Sequence, residues 1–151
     1  MHSFSRRNAI RTLVLLAGGA AIAAASRAVA RETVPLALRG YDPVAYFTLG
    51  KATRGSPDIE YEWDERRYRF ASAEHRDAFR TDPVRYAPQF ANYCAMAPVD
   101  GEVVDGNPEY WLISDGKLYL FGKPIGPELF NRNLAGNIAK AEENRFLIEK
   151  N

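Results

Sequence analysis

The sequence predicts a small single α+β domain built from two antiparallel β-hairpins with three or four packed helices. Three observations lead there. Two stretches alternate aromatic and polar residues, and each is broken by a short polar turn, the pattern of half-buried hairpins. Other segments open on a capping residue and continue with apolar positions at helical spacing. The length of 151 residues accommodates one ordinary domain, and a composition of 46% hydrophobic and 26% charged residues excludes a disordered or collagen-like chain. Two hairpins and a few helices are incompatible with a parallel barrel or a dinucleotide-binding fold.

In chain order, Leu36–Leu49 is an apolar stretch punctuated by Gly40 and Pro43, and Val44–Thr48 has the composition of a strand. Asp42-Pro43 reads as an Asx-type turn into that segment, or as one wall of a site. Gly50–Pro57 is loop-like. Ile59–Trp63 alternates, Asp64-Glu65-Arg66 is polar enough to turn, and Arg67–Ala71 alternates again through Tyr68 and Phe70. The basic residues Arg66, Arg67 and Arg69 beside Asp64 and Glu65 read as a solvated hairpin tip. Ser72 caps a helix to about Arg80, with Glu74 in its first turn and Ala71, His75, Ala78 and Phe79 near one face. Asp82-Pro83 restarts a helix, Asp as cap and Pro at the first helical position, carrying Tyr86 toward Phe90. Tyr93–Ala97 fits either an extended or a helical segment. Gly101–Pro108 is turn-rich. Tyr110–Ser114 and Lys117–Phe121 are aromatic-rich strands joined by Asp115-Gly116, a strong short-range hairpin signal. Glu128–Leu134 reads as a short helix and Ala135–Lys150 as a longer one, with Ile138, Ala141, Arg145 and Ile148 in line.

The net charge of +1 hides an asymmetry. Residues 1–30 carry four Arg and no acid, whereas the remaining 121 carry 16 basic and 19 acidic residues, a net −3. Met1–Arg11 is basic, Thr12–Ala25 is uncharged, and Ala28-Val29-Ala30 supplies the small-x-small pattern of signal-peptide cleavage. The expectation is a signal peptide over 1–30, cleaved after Ala30, ahead of a domain over 31–151. Ser5-Arg6-Arg7 is similar to a twin-arginine export signal, and the mature protein is expected in the periplasm. The apolar run of fourteen residues is short for a span of about 20, so no stable membrane span is expected after cleavage. The mature segment has no basic excess, and nucleic acid is not expected as a partner. A metal ion or a protein remains the expected partner.

Tyr68-Arg69-Phe70-Ala71-Ser72-Ala73-Glu74-His75-Arg76-Asp77-Ala78-Phe79, followed by Asp82-Pro83-Val84-Arg85-Tyr86, resembles the YHS domain, and Tyr41-Asp42-Pro43-Val44-Ala45 resembles that family's opening. The resemblance spans Gly40 to Tyr86 and implies an exported YHS-like binding module. Cysteine-bearing members of the family look like metal binders. The three matched cysteine positions are here Ala45, Ala71 and His75, so the family's metal chemistry does not transfer residue by residue.

After cleavage the chain holds one His, one Cys and one Met: His75, Cys94 and Met96. Imidazole, thiolate and thioether form a soft donor set that suits a copper ion before zinc. If Tyr93–Ala97 is extended, Cys94 and Met96 point to the same side; if it is helical, they diverge. The metal site expected is therefore His75, Cys94 and Met96. A structural or protein-interaction domain that has lost the metal cysteines is the alternative, and a cysteine-dependent enzyme pairing Cys94 with His75, oriented by Asp42 or Asp77, is the second. The protein is read as a binding module rather than an enzyme. One Cys permits no internal disulfide and no four-Cys zinc site, and phosphate-loop and HExxH motifs are missing from the sequence.

Overall fold

The structure, a computed structural model, describes residues 34–150. The expected signal peptide over 1–30, its cleavage after Ala30 and its twin-arginine motif lie outside the described residues. The elements below all fall in the unit that begins at Leu36.

The chain enters through a tight turn at Ala37–Gly40 and a short helix α1, Ala45–Thr48. The hairpin β1 (Ser56–Trp63) and β2 (Arg66–Phe70) follows, then helices α2 (Ala73–Thr81) and α3 (Pro83–Tyr86). An irregular stretch leads to a 3-10 turn at Ala97–Asp100. The second hairpin is β3 (Asn107–Ser114) with β4 (Lys117–Phe121), and α4 (Gly126–Asn131), α5 (Leu134–Glu143) and α6 (Phe146–Glu149) close the unit. The predicted α+β class with two antiparallel hairpins is what the structure contains. Its helices are more numerous and shorter than the sequence suggested.

Both hairpin loops are two residues long with positive φ throughout, 50° and 56° at Asp64-Glu65 and 49° and 70° at Asp115-Gly116. Such left-handed pairs match the right-handed twist of the strands they join. Each hairpin also shifts register near its open end, between Ser56 and Glu60 and between Asn107 and Trp111. Pro57 and Pro108 sit at these irregularities, where a residue without an N–H does least harm to the ladder.

A two-stranded hairpin is marginal alone and must bury a face. Strand β4 buries two. Leu118 and Leu120 belong to one cluster with Tyr46, Tyr68, Phe70 and Phe79, while Tyr119 and Phe121 belong to another with Phe90, Cys94 and Phe130. The period of two along a strand sends alternate side chains to opposite faces, so β4 separates the two halves of the core. The hub of the first cluster is Phe79 on α2, whose ring lies 4.6 Å from Tyr68, 5.3 Å from Phe70 and 6.0 Å from Trp63.

Four local expectations need correction. Val44–Thr48 is helical rather than extended, because the Asp42 carboxylate accepts from the N–H groups that open a helical turn. Tyr93–Ala97 is neither strand nor helix: Tyr93 and Cys94 make single bridges to Asp105 and Leu120, and Met96 already has helical dihedrals at the start of the 3-10 turn. The helix expected over Ala135–Lys150 breaks after Glu143, where Asn144 and Arg145 intervene before α6. Finally, Arg69 is not solvated at the hairpin tip. Its guanidinium donates to Glu60 Oε1 at 2.9 Å, and Arg67 approaches the same oxygen at 3.6 Å.

Candidate functional site

Asp42 is the one charged residue that is buried whole among the described residues, with 0% exposure. A buried carboxylate is tolerated where its oxygens are satisfied. Oδ1 accepts from the backbone N–H of Val44 at 2.8 Å and of Ala45 at 3.3 Å, an Asx turn that launches α1. Oδ2 accepts from Ala71 N at 2.8 Å and lies 2.6 Å from His75 Nδ1. The turn reading and the site-wall reading of Asp42-Pro43 therefore describe one side chain that does both.

His75 reaches Asp42 because of where α2 starts. Ser72 caps the helix, its hydroxyl accepting from His75 N at 3.2 Å. His75 then stands one turn before the buried Phe79, on the face that α2 turns toward the core. The imidazole is half-buried. Its far nitrogen, Nε2, lies 3.1 Å from Thr48 Oγ1 at the exposed end of α1, and that hydroxyl also lies 3.1 Å from Val44 O, one helical turn back.

Three groups thus form a line from core to surface: carboxylate, imidazole, hydroxyl. An ionised carboxylate only accepts, so it fixes the ring hydrogen on Nδ1 and leaves Nε2 of the neutral ring as an acceptor. Thr48 then donates to Nε2. When the ring carries both hydrogens the direction reverses: Nε2–H donates to Thr48 Oγ1, and the hydroxyl turns its own hydrogen to Val44 O. Every polar atom keeps a partner in either state.

Of the residues singled out from sequence, His75 meets one of the two carboxylates considered for orienting it, Asp42, while its other ring nitrogen meets a hydroxyl, that of Thr48, rather than the Cys94 thiol. Cys94 is buried in the second cluster, where its N–H donates to Val104 O at 2.7 Å, and Met96 packs beside the same cluster. Asp77, the other carboxylate considered for orienting the ring, is held by Arg76 at 3.0 Å and by Arg80 at 3.7 Å. Among the described residues no group of three or more His, Cys, Asp or Glu side chains is placed to hold a metal ion. No described helix is long and apolar enough to cross a membrane. Ala45, Ala71 and His75 all touch the one Asp42 carboxylate, the first two through backbone N–H groups. Thr48 escaped the sequence reading because a strand there would not have turned its hydroxyl back over Val44. The offset of four between those residues is the available signal once Asp42 is seen as a helix-starting cap.

Comparison with known proteins adds no identity: no protein-family model, no curated protein and no solved structure matches the chain.

Around the site, Tyr41 donates its hydroxyl to Glu109, and Arg54 stacks over the Tyr41 ring at 4.2 Å. Tyr46 donates to Pro108 O at 2.9 Å. The Glu109 bond raises the Tyr41 phenol above its ordinary value, and burial raises that of Tyr46 strongly. These contacts tie the segment bearing Asp42 to the second hairpin, which keeps the carboxylate in place beneath His75.

Proposed function

We propose that the domain is an exported binding module, in keeping with its YHS resemblance, and that it takes a transition metal, copper before zinc, at His75 Nε2. The observation that supports this reading is the Asp42–His75 pair. An imidazole that ligates a metal usually gives its other N–H to a carboxylate, which fixes the ring and raises the donor strength of the free nitrogen. Thr48 is an exposed, displaceable partner at that nitrogen. The softer donors Cys94 and Met96 pack with the second cluster, so the geometry favours an imidazole-anchored, open site whose remaining positions are filled by solvent or a second molecule. Competition titration of the purified protein against a chromophoric Cu(I) chelator tests this. Binding is expected in wild type and in Cys94→Ala, and is expected to be lost in His75→Ala; equal affinity in wild type and His75→Ala would refute it. A Cys94→Ala variant that loses binding would return the site to the thiol.

The second reading is a protein-interaction domain. Burial of Cys94, together with the exposed apolar residues Leu49 and Val84, at 51% and 70% exposure, favours it. Wild-type protein that binds no metal would select this reading.

A further inference from the structure

The same line of groups has a chemistry that needs no metal. A nucleophile is recognised by a hydroxyl or thiol within hydrogen-bond reach of a base, with that base oriented by a third group. The thiol of Cys94 does not meet this description, since the ring nitrogens of His75, the one imidazole of the described segment, contact Asp42 and Thr48. Thr48 does meet it. Its Oγ1 is 3.1 Å from Nε2, Nδ1 is 2.6 Å from Asp42 Oδ2, and Thr48 is exposed on α1 where a reagent can reach it. Asp42 is fully buried and takes three further backbone N–H donors, so its position and its acceptor role are fixed before any reagent arrives.

We propose that Thr48 is an activated nucleophile, an acyl-acceptor site for activated esters, with His75 as its general base and Asp42 as the positioning residue. In the step, Thr48 Oγ1 attacks the ester carbonyl carbon while its proton passes to His75 Nε2. The tetrahedral adduct collapses, the bond from carbon to the leaving oxygen breaks, and that oxygen departs with the electron pair. The proton on Nε2 passes to the leaving group or to solvent. The products are O-acyl Thr48 and the freed alcohol or phenol. The neutral-ring arrangement described above is the one this step starts from, with the Thr48 hydrogen already aimed at the Nε2 lone pair across 3.1 Å. A metal on Nε2 would occupy the lone pair the step needs, so the two proposals predict opposite effects of copper.

The test is acetylation of the full-length, chelator-treated protein by p-nitrophenyl acetate, followed by p-nitrophenolate release and with the acetyl group located by peptide mass spectrometry. Thr48 should be acetylated in wild type and in Thr48→Ser at residue 48, and Thr48→Ala should lose that label and the fast phase of phenolate release. His75→Gln should slow labelling of Thr48 by about a hundredfold or more, the range of general-base assistance. For Asp42→Asn, the expected signature is a shift of the ring hydrogen from Nδ1 to Nε2 in the nitrogen NMR spectrum, alongside slowed labelling. If His75→Gln does not fold, carbethoxylation of His75 in the folded wild type replaces it and should block Thr48 labelling. The proposal is overturned if wild type is not labelled at Thr48, or if loss or blockage of the imidazole leaves labelling of Thr48 as fast as before. Failure of labelling with copper binding intact refutes the nucleophile alone; labelling that persists without any copper binding refutes only the metal reading.

Discussion

Replacing Asp42 by Ala removes the acceptor for four N–H groups at once: Val44 N, Ala45 N, Ala71 N and His75 Nδ1. The four are not equally exposed to the loss. Ala71 and His75 lie near enough to solvent for water to replace the carboxylate, whereas Val44 and Ala45 are both at 0% exposure. A buried donor stripped of its partner costs about 1–3 kcal/mol. Two such donors, plus the loss of the turn that starts α1, put the expected destabilisation at about 3–4 kcal/mol. For a unit of this size that corresponds to a fall in Tm of roughly 12–16 °C. Asp42→Asn should cost less, about 2 kcal/mol, because the amide keeps one acceptor oxygen and His75 can accept from the new NH2 by shifting its ring hydrogen to Nε2. The exposed Asp58 provides a control, and Asp58→Ala should change stability by no more than about 0.5 kcal/mol. Urea unfolding followed by circular dichroism, with thermal melts in parallel, measures all three. If Asp42→Ala loses less than about 1 kcal/mol, the carboxylate is not the hub that the hydrogen-bond pattern describes.

Three further outcomes are expected. Burial pushes the Tyr68 phenol up to about 12, against about 10 in an unfolded chain, so stability is full below pH 10 and falls by about 3 kcal/mol as the pH climbs from 10 toward 12. Tyr68→Phe should therefore soften alkaline unfolding in melts taken across that range, and an unchanged profile would contradict this. Arg145 donates to Gln89 O at 2.8 Å and stacks over Phe90 at 4.8 Å, besides pairing with the part-exposed Glu142, so Arg145→Ala should cost about 1–2 kcal/mol and Glu142→Ala about 0.5 kcal/mol or less by chemical denaturation. A Cβ at Gly55 would lie 2.4 Å from the backbone carbon of Arg69, where no flexible group can give way, so Gly55→Ala should cost about 3 kcal/mol or prevent folding, while Gly50→Ala, at φ +63° in open space, should cost about 1 kcal/mol.

Much of the fold was legible because its signals are local. Ser72 and Asp82 cap their helices as their side chains dictate, each accepting from the N–H three residues on. Asp115-Gly116 turns β3 into β4 because only residues that tolerate positive φ fit a two-residue loop. Tyr68 and Phe70 point inward because alternation along a strand leaves them no other face. The site was half legible: His75 stood out as the lone imidazole, and Asp42 was among the groups weighed for orienting it. Pairing His75 with Cys94 and Met96 rested on chemical affinity, and nothing along a sequence reports which side of a strand two remote residues share.

The sequence by itself determined the class of the domain, its two hairpins, the caps of α2 and α3, and the short inventory of side chains able to do chemistry. The hairpin turns and the caps follow from dihedral preferences or hydrogen bonds that close within four residues of where they begin, and the inventory is composition alone. The tertiary structure decided what His75 touches. Asp42 and His75 are 33 positions apart and meet at 2.6 Å because α2 packs Phe79 onto the first hairpin, which seats the preceding helical turn over the Asx turn at Asp42. It also decided that α1 is a helix, placing Thr48 beyond the ring, and that β4 presents Cys94 with a different cluster. Burial chooses such pairings, and it depends on packing between distant segments rather than on the spacing of residues along the chain.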